Sequence, residues 1–198
     1  MDDIVIRGMA KWPNVPSVYG WLALDRRGNW LLKGERISNP VIANFIGRNY
    51  GCDESGRWFF QNGPQRVYVA LDYVPLVYRV TRTSGHTSVV DTQRGKQASS
   101  VKSAWMDEHG ALLLETSQAV GLVHDHDMAD VLATLVDAHA AALSDDELEQ
   151  RVEAIQRGVE ADLFLDIGQA LVAVHPIASR NVAAKFGFDP TPRSPDVD

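Results

Sequence analysis

Short apolar runs separated by turn signals dominate the first 120 residues, so this part of the chain is predicted to form strands. The sequence Asp-x-x-Gly precedes an apolar run at three places, which begin at Asp25, Asp53 and Asp107. The first two copies lie 28 positions apart and share a tryptophan two residues after the glycine. An aspartate can accept a hydrogen bond from the backbone two residues on, and glycine adopts positive φ, so each copy favours a chain reversal. The pattern predicts a fold built from repeated hairpins.

Two such hairpins and a short helix are predicted in the N-terminal part. Asn39 and Pro40 suit the cap and the first position of a helix that ends near Arg48. The apolar residues of this segment recur at helical spacing, as in an amphipathic helix. The hairpins on either side pair residues 19–24 with 30–37 and residues 57–61 with 66–71.

Further strands and helices are predicted in the rest of the chain. Strands are expected over residues 76–83, 101–106, 111–116 and 118–123. Helices are expected over residues 128–143, from the Ser144–Glu147 capping box to about Arg157, and over 180–186. A last hairpin pairs residues 163–167 with 170–174.

These elements predict an α+β fold of antiparallel hairpins, with a repeated hairpin–helix unit and helices near the C-terminus. Residues 1–80 form the repeated part, and residues 81–189 form a strand-rich part with C-terminal helices and a hairpin. Residues 190–198 hold three of the nine prolines and no aliphatic cluster, so they are expected to be a tail.

Composition favours a cytoplasmic protein with a packed core. Of the 198 residues, 45% are hydrophobic, and Cys52 is the only cysteine, so no intramolecular disulfide is possible. The first residues are too acidic for a signal peptide, and no apolar run approaches the roughly 18 residues that span a bilayer. No membrane association is expected. Met9 is an alternative start, which would leave the first eight residues as an extension.

The net charge of −7 is unevenly distributed. Residues 1–105 carry 14 Lys or Arg and 8 Asp or Glu, whereas residues 106–198 carry 5 and 18. Two interpretations are open: the halves attract each other within one fold, or part of the basic half faces an anionic ligand. Nucleic acid is not an expected partner, because the whole chain is acidic and phosphate contacts dominate such binding.

The stretch from His124 to Asp127 most resembles a metal site. His124 and His126 fall on one side of an extended chain, and imidazole with carboxylate suits zinc, manganese or iron. The alternative is structural, because Asp125 or Asp127 would also cap the helix predicted from Met128.

No residue is predicted to be catalytic, and no cofactor is expected. The nucleophile elbow, the phosphate-binding loop, the dinucleotide fingerprint and the zinc-protease motif are all absent from the sequence. Cys52 precedes Asp53 and Glu54, whose charges would raise the pKa of the thiol and leave it unreactive. The sequence therefore leans away from an enzyme.

A ligand site is predicted around two arginines that occupy matching places in the repeats. Arg36 and Arg66 each follow a glycine at the end of an apolar run, and Gln65 and Tyr68 flank the second arginine. Guanidinium groups beside amides and an aromatic ring suit a phosphate-bearing or carboxylate-bearing ligand. The alternative is that the arginines pair with acidic side chains of this chain. Trp30 and Trp58 follow the apolar alternation and are expected in the core.

Residues 20 to 80 resemble an uncharacterised bacterial family of the DUF1285 type. The resemblance rests on the segments Gly28–Ile37, Val41–Ile46, Asp53–Trp58, Val67–Val69 and Asp72–Val77. It implies a duplicated helix-plus-hairpin core and a second part like a pleckstrin-homology barrel. It also implies a signalling role and a nucleotide-like ligand, with no established activity. The two helices and the further hairpin predicted after residue 128 depart from the family pattern.

Three hypotheses follow for the function. The first is a non-enzymatic ligand-sensing or interaction module that binds a small anionic ligand through Arg36, Gln65, Arg66 and Tyr68. The second is a metal-dependent enzyme that uses His124 and His126. The third is a structural subunit whose strand edges pair with another chain, and a homo-oligomer is compatible with it.

Overall fold

The computed structural model describes residues 1–12, 15–83, 86–168 and 170–194, and it confirms the predicted α+β class. The chain divides into two compact units: Met1–Pro75 with Phe186–Asp198 is unit 1, and Leu76–Lys185 is unit 2. The division at residues 80 and 189 stays a prediction, and the last four residues of the predicted tail lie outside the described residues. None of the helices within the described ranges is long and apolar enough to cross a bilayer.

The described part of unit 1 contains helices α1 and α2 and one six-stranded sheet. Its elements are α1 (Asp3–Lys11), β1 (Val18–Leu24), β2 (Trp30–Leu32), β3 (Glu35–Arg36), α2 (Pro40–Arg48), β4 (Tyr50–Cys52), β5 (Trp58–Asn62) and β6 (Gln65–Leu71). The strand order is β3-β2-β1-β6-β5-β4. Both predicted hairpins form, because β1 pairs antiparallel with β2 and β5 with β6. The single strand predicted over residues 30–37 is wrong, because a turn at Lys33 and Gly34 divides it into the antiparallel strands β2 and β3. The parallel pair of β1 and β6 joins the two hairpins into one sheet.

Helix α2 forms as predicted. The Asn39 side-chain oxygen accepts hydrogen bonds from the backbone N–H groups of Val41 and Ile42, at 2.9 and 3.5 Å. Pro40 occupies the first turn, where its missing N–H costs nothing. The cap thus fixes where α2 begins.

Helix α1 is not among the predicted elements. Its apolar residues include Val5 and Met9, one helical turn apart, but Val5 alone among the α1 residues is buried, with 1% of its surface exposed. The Asp2 carboxylate pairs with Arg48 at 3.2 Å, and the Asp2 N–H donates to the Asn49 side chain at 2.7 Å. These contacts tie the start of α1 to the end of α2.

Aromatic rings fill the core of unit 1. The Tyr50 ring lies 4.9 Å from Trp30 and 4.8 Å from Trp58, centroid to centroid. Phe45 of α2 contacts Phe60 of β5 edge to face at 5.5 Å. Trp30 and Trp58 are both buried, so their predicted place in the core is confirmed.

Unit 2 is built on an eight-stranded sheet. Its strands are β7 (Leu76–Thr83), β8 (His86–Asp91), β9 (Val101–Met106), β10 (Leu112–Thr116), β11 (Val120–Val123), β12 (Leu135–Val136), β13 (Phe164–Asp166) and β14 (Leu171–Pro176). Its helices are α3 (Met128–Leu132), α4 (Asp145–Gln156) and α5 (Val182–Phe186), apart from the last residue of α5, which belongs to unit 1. The strand order is β12-β13-β14-β9-β10-β11-β7-β8, so over the described residues this sheet is open and not a closed barrel. The implied pleckstrin-homology likeness stays a prediction.

Within the described residues, the turn that Asp-x-x-Gly predicts occurs four times, once more than the sequence pattern indicates. Asp25, Asp53, Asp107 and Asp137 each accept, at one carboxylate oxygen, the backbone N–H groups two and four residues on. In each turn the N–H three residues on donates to the aspartate carbonyl. The fourth copy has Ala140 in the glycine position, with a φ of 61°.

The helix predicted over residues 128–143 is wrong beyond Leu132. Helix α3 ends there, β12 follows, and the Asp137 turn brings Ala142 back to bridge Val136. Alanine is the strongest helix former, so the alanines of this segment concealed a turn that glycine would have marked.

Charge pairing within unit 2 joins the basic and acidic halves of the sequence. Arg79 pairs with Asp127 at 2.7 Å, and Arg82 pairs with Asp166 at 3.1 Å. These pairs support the interpretation that the two halves attract each other within one fold. Unit 1 carries ten Lys or Arg and ten Asp or Glu, so the basic excess of residues 1–105 is not a property of unit 1.

Candidate functional site

One face of the unit 1 sheet carries two arginines stacked on neighbouring aromatic rings. Phe59 of β5 lies directly across from Tyr68 of β6. The Arg66 guanidinium carbon lies 4.6 Å from the Phe59 ring centroid, and that of Arg57 lies 4.8 Å from the Tyr68 ring centroid. The Tyr19 ring stacks on Tyr68 at 4.7 Å. We call Arg57, Phe59, Arg66 and Tyr68 the arginine face.

The two arginines of this face differ in how their charge is balanced. Arg57 binds Asp53, with its Nε 2.9 Å from Oδ2, and the Tyr68 hydroxyl donates to the same oxygen at 3.0 Å. Arg66 contacts aromatic groups, and no carboxylate of the described residues lies within ion-pair distance of it. The cluster therefore holds one positive charge in excess.

The titratable groups around Arg57 respond to this arrangement. Burial alone would raise the pKa of Asp53, but hydrogen bonds from the Arg57 backbone and guanidinium and from Tyr68 outweigh it and lower the pKa. Burial raises the pKa of Tyr68, and the nearby Arg66 guanidinium acts in the opposite direction. At neutral pH Asp53 is ionised and Tyr68 keeps its proton, so Tyr68 acts here as a hydrogen-bond donor.

The predicted ligand residues do not all lie together. Arg66 and Tyr68 share the arginine face, whereas Gln65 alternates to the opposite face, where its amide donates to the Pro16 carbonyl at 3.1 Å. Arg36 is exposed on β3, three strands from β6, which corresponds to ~14 Å across the sheet. Arg36 and Arg66 occupy equivalent places in the sequence repeat, but they are not close together in space.

A pocket between α2 and the opposite face of the same sheet is not predicted from the sequence. It has a volume of about 510 Å³, and ten of its twelve lining residues are apolar, among them Trp21, Leu32, Ile42 and Phe45. Its two polar lining residues are Asn62 and Gln65. We call this space the α2 pocket. No local sequence pattern indicates this pocket, because it forms only when α2 packs on the sheet.

The histidine stretch forms a compact group in unit 2. His124, Asp125 and His126 each offer a ligand atom, and these atoms lie within 4.8 Å of one another. The His124 Nδ1 accepts the backbone N–H of His126 at 3.2 Å and lies 2.9 Å from the Asp125 carboxylate. One imidazole nitrogen of the group is thus already engaged in local structure.

Asp127 occupies the predicted N-cap position of α3, but its side chain does not cap the helix. The side chain that caps the short 3₁₀ helix Asp125–Asp127 is that of His124, and Asp127 makes no cap hydrogen bond to α3. Asp127 instead accepts two hydrogen bonds from Arg79, at 2.7 and 2.8 Å, and one from the Val80 N–H at 2.8 Å. Asp127 therefore pairs with Arg79, 48 residues away, and does not cap the adjacent helix.

The pKa of Cys52 is raised, which is the predicted direction, but the main cause is burial of the thiol and not the acidic neighbours. Desolvation of the thiol and the neighbouring Asp53 carboxylate raise the pKa of Cys52 to about 11. The thiolate is the reactive form, so at neutral pH this cysteine is a poor nucleophile.

Comparison with solved structures shows a likeness of fold. A crystal structure of a DUF1285 family protein from Silicibacter pomeroyi DSS-3 matches with a TM-score of 0.53 and 14% identity, over 83% of this chain and 85% of that one. A DUF1285 family protein from Shewanella baltica OS155 matches with a TM-score of 0.43 and 14% identity, over 56% of this chain and 88% of that one. No curated protein matches the chain.

A family model covers nearly the whole sequence. The model, named DUF2944 and described as "Protein of unknown function (DUF2946)", matches residues 1–193. The predicted membership of an uncharacterised family is confirmed. The chain belongs to the DUF2944 family of proteins of unknown function.

Proposed function

We propose that this protein is a non-enzymatic ligand-sensing module that binds a small anionic ligand, such as a nucleotide-like phosphate, at the arginine face. The observation that carries the proposal is the pair of guanidinium groups stacked on the adjoining rings of Phe59 and Tyr68. Such stacking restrains the long arginine side chains before a ligand arrives and so reduces the entropy lost on binding. A signalling role would follow if ligand binding changes how this face meets a partner.

The charge balance of the arginine face supports an anion rather than a cation. Arg57 is already paired with Asp53, and Arg66 is the group with donors to spare. A guanidinium presents several N–H donors in one plane, which suits phosphate and carboxylate oxygens. Arg66 is therefore the expected main contact, and Arg57 the second.

Calorimetric titration with pyrophosphate at low ionic strength tests this proposal, with citrate as the carboxylate arm. We expect saturable binding to the wild type and a loss of roughly tenfold or more in affinity for Arg66→Ala, the usual effect of removing a charge-assisted hydrogen bond. The stronger of the two probes identifies the class of anion. Absence of binding of both probes to the wild type would overturn the proposal.

Arg36→Ala is the matched control. Arg36 has the same chemistry, is exposed, and belongs to the same sheet at a distance of three strands from β6. We expect its loss to leave the affinity for the anion unchanged. An equal loss for both variants would show that the probe senses only the general charge of the surface.

A metal site at His124 and His126 is the second candidate function, favoured by the 4.8 Å grouping of their ligand atoms with Asp125. Native mass spectrometry with added Zn²⁺ tests it. We expect one bound ion in the wild type and in His139→Ala, and none in His126→Ala. Equal zinc loading of all three proteins would exclude this stretch as the site.

A further inference from the structure

The rim of the α2 pocket exposes large apolar side chains. Trp21, Leu32 and Ile42 line the pocket and are 51%, 47% and 48% exposed. Soluble proteins seldom leave such side chains grouped on the surface without a use for them. A ligand in the pocket would cover all three at once.

The dimensions and lining of the pocket define the chemistry of its occupant. Its volume of about 510 Å³ lies within the range of ~300–1,000 Å³ that is typical of small-molecule sites. No lining residue is charged, so an ionised group inside would lose its hydration without gaining a partner. The amides of Asn62 and Gln65 offer both donors and acceptors at the β5–β6 end of the pocket.

We propose that the α2 pocket binds a small uncharged molecule with a hydrocarbon body, whose polar group lies against Asn62 and Gln65. This site is separate from the arginine face. Gln65 and Val67 line the pocket, and Arg66 and Tyr68 alternate with them along β6, so the two sites lie on opposite faces of one sheet.

A cation lies at the rim of the pocket, on the Trp21 ring. The Lys33 ammonium lies 3.9 Å from the ring centroid of Trp21, on a residue whose φ of 51° fixes the tight turn between β2 and β3. Lys33 is not among the lining residues. The ammonium therefore covers the Trp21 ring, while the interior stays apolar.

Titration of the full chain with 1-octanol, followed by methyl NMR, tests the proposal. We expect saturable shifts for the methyl groups of Ile37, Ile42 and Ile46, which line the pocket, and none for Ile155 in unit 2. Octanoate has the same hydrocarbon chain with a carboxylate. We expect it to bind at least roughly tenfold more weakly than octanol, because its charge finds no partner inside the pocket. Tighter binding of octanoate than of octanol would overturn the uncharged class.

Two tryptophan variants on the same helix separate the pocket from its surroundings. Ile42→Trp fills the pocket, whereas Val41→Trp adds the same ring at a position that is 74% exposed and does not line it. We expect octanol affinity to fall roughly tenfold or more in the first variant and to stay unchanged in the second. Leu32→Trp on β2 repeats the block from the opposite wall.

The remaining outcomes are also decisive. No saturable shift in the wild type, or equal binding by Ile42→Trp and Val41→Trp, would overturn the proposal. A wild-type dimer that becomes a monomer in Ile42→Trp and binds no octanol would show that a second copy of the chain covers the pocket instead. Pyrophosphate binding measured on the same variants reports on the arginine face independently.

Discussion

Ala140 occupies a turn position that favours glycine, and Ala140→Gly is expected to stabilise the protein. The other three turns of this kind have Gly28, Gly56 and Gly110 there, with φ between 76° and 80°. Ala140 adopts a φ of 61° and is exposed, so its replacement removes no packing contact from a core.

The magnitude follows from two opposing effects. A residue with a Cβ in the left-handed region costs roughly 1–2 kcal/mol, which glycine avoids. Glycine in turn adds conformational freedom to the unfolded chain, at a cost of roughly 0.5–1 kcal/mol. The net gain is about 0.5–1 kcal/mol in the free energy of unfolding. For a protein of this size that corresponds to a rise of about 1–4 °C in Tm.

Urea denaturation followed by circular dichroism provides the assay, and Ala138→Gly is the matched control. Ala138 lies in the same exposed turn but has no positive φ, so glycine there should destabilise by roughly 0.5–1 kcal/mol. We expect the midpoint to rise for Ala140→Gly and to fall for Ala138→Gly, with equal m-values. A midpoint for Ala140→Gly at or below that of the wild type would show that the positive φ of Ala140 carries no strain.

Three further predictions concern other parts of the fold. Gly56→Ala should destabilise by roughly 3 kcal/mol or more in urea denaturation, because its Cβ would lie 2.2 Å from the Gly187 carbonyl oxygen as well as at positive φ; a loss of under about 1 kcal/mol would contradict this contact. Hydrogen bonds from Arg79 and the Val80 N–H hold the pKa of Asp127 below its ordinary 3.8, so their stabilisation is present above that pH and is lost as the pH falls through the folded-state pKa. Unfolding curves between pH 7 and pH 2 should therefore show a smaller acid loss for Asp127→Asn, and an unchanged slope would argue against the pairing. Iodoacetamide should alkylate Cys52 slowly at neutral pH and faster as the pH approaches about 11, and a rate plateau near pH 8 would contradict the raised pKa.

Local chemistry made the hairpins of unit 1 and α2 predictable. The Asp-x-x-Gly turns and the Asn39–Pro40 cap form their hydrogen bonds within a few residues, so the sequence contains all the partners. The fourth turn was not predicted, because Ala140 stands in the position where the other three turns have glycine. Helix α1 was not predicted, although Val5 and Met9 lie one helical turn apart, because the segment is short and buries only Val5.

Contacts between residues far apart in the sequence were harder to predict, and the candidate sites depend on such contacts. Arg36 and Arg66 are equivalent in the repeat, but the parallel pairing of β1 with β6 places two strands between those that carry them. Asp127 was predicted to cap a helix because it directly precedes Met128. Its actual partner, Arg79, lies 48 residues away, so no local pattern indicates the pair. The α2 pocket requires α2, β1 and β6 together, and no local pattern encodes that contact.

Direct observation of the arginine side chains during a pyrophosphate titration is the most direct test of anion binding at the arginine face. The Nε–Hε NMR signals of Arg66 and Arg36 report whether either guanidinium contacts the anion. We expect a saturable shift of the Arg66 signal and no shift of the Arg36 signal. An Arg66 signal that stays fixed at saturating pyrophosphate, or one that moves no more than that of Arg36, would contradict it.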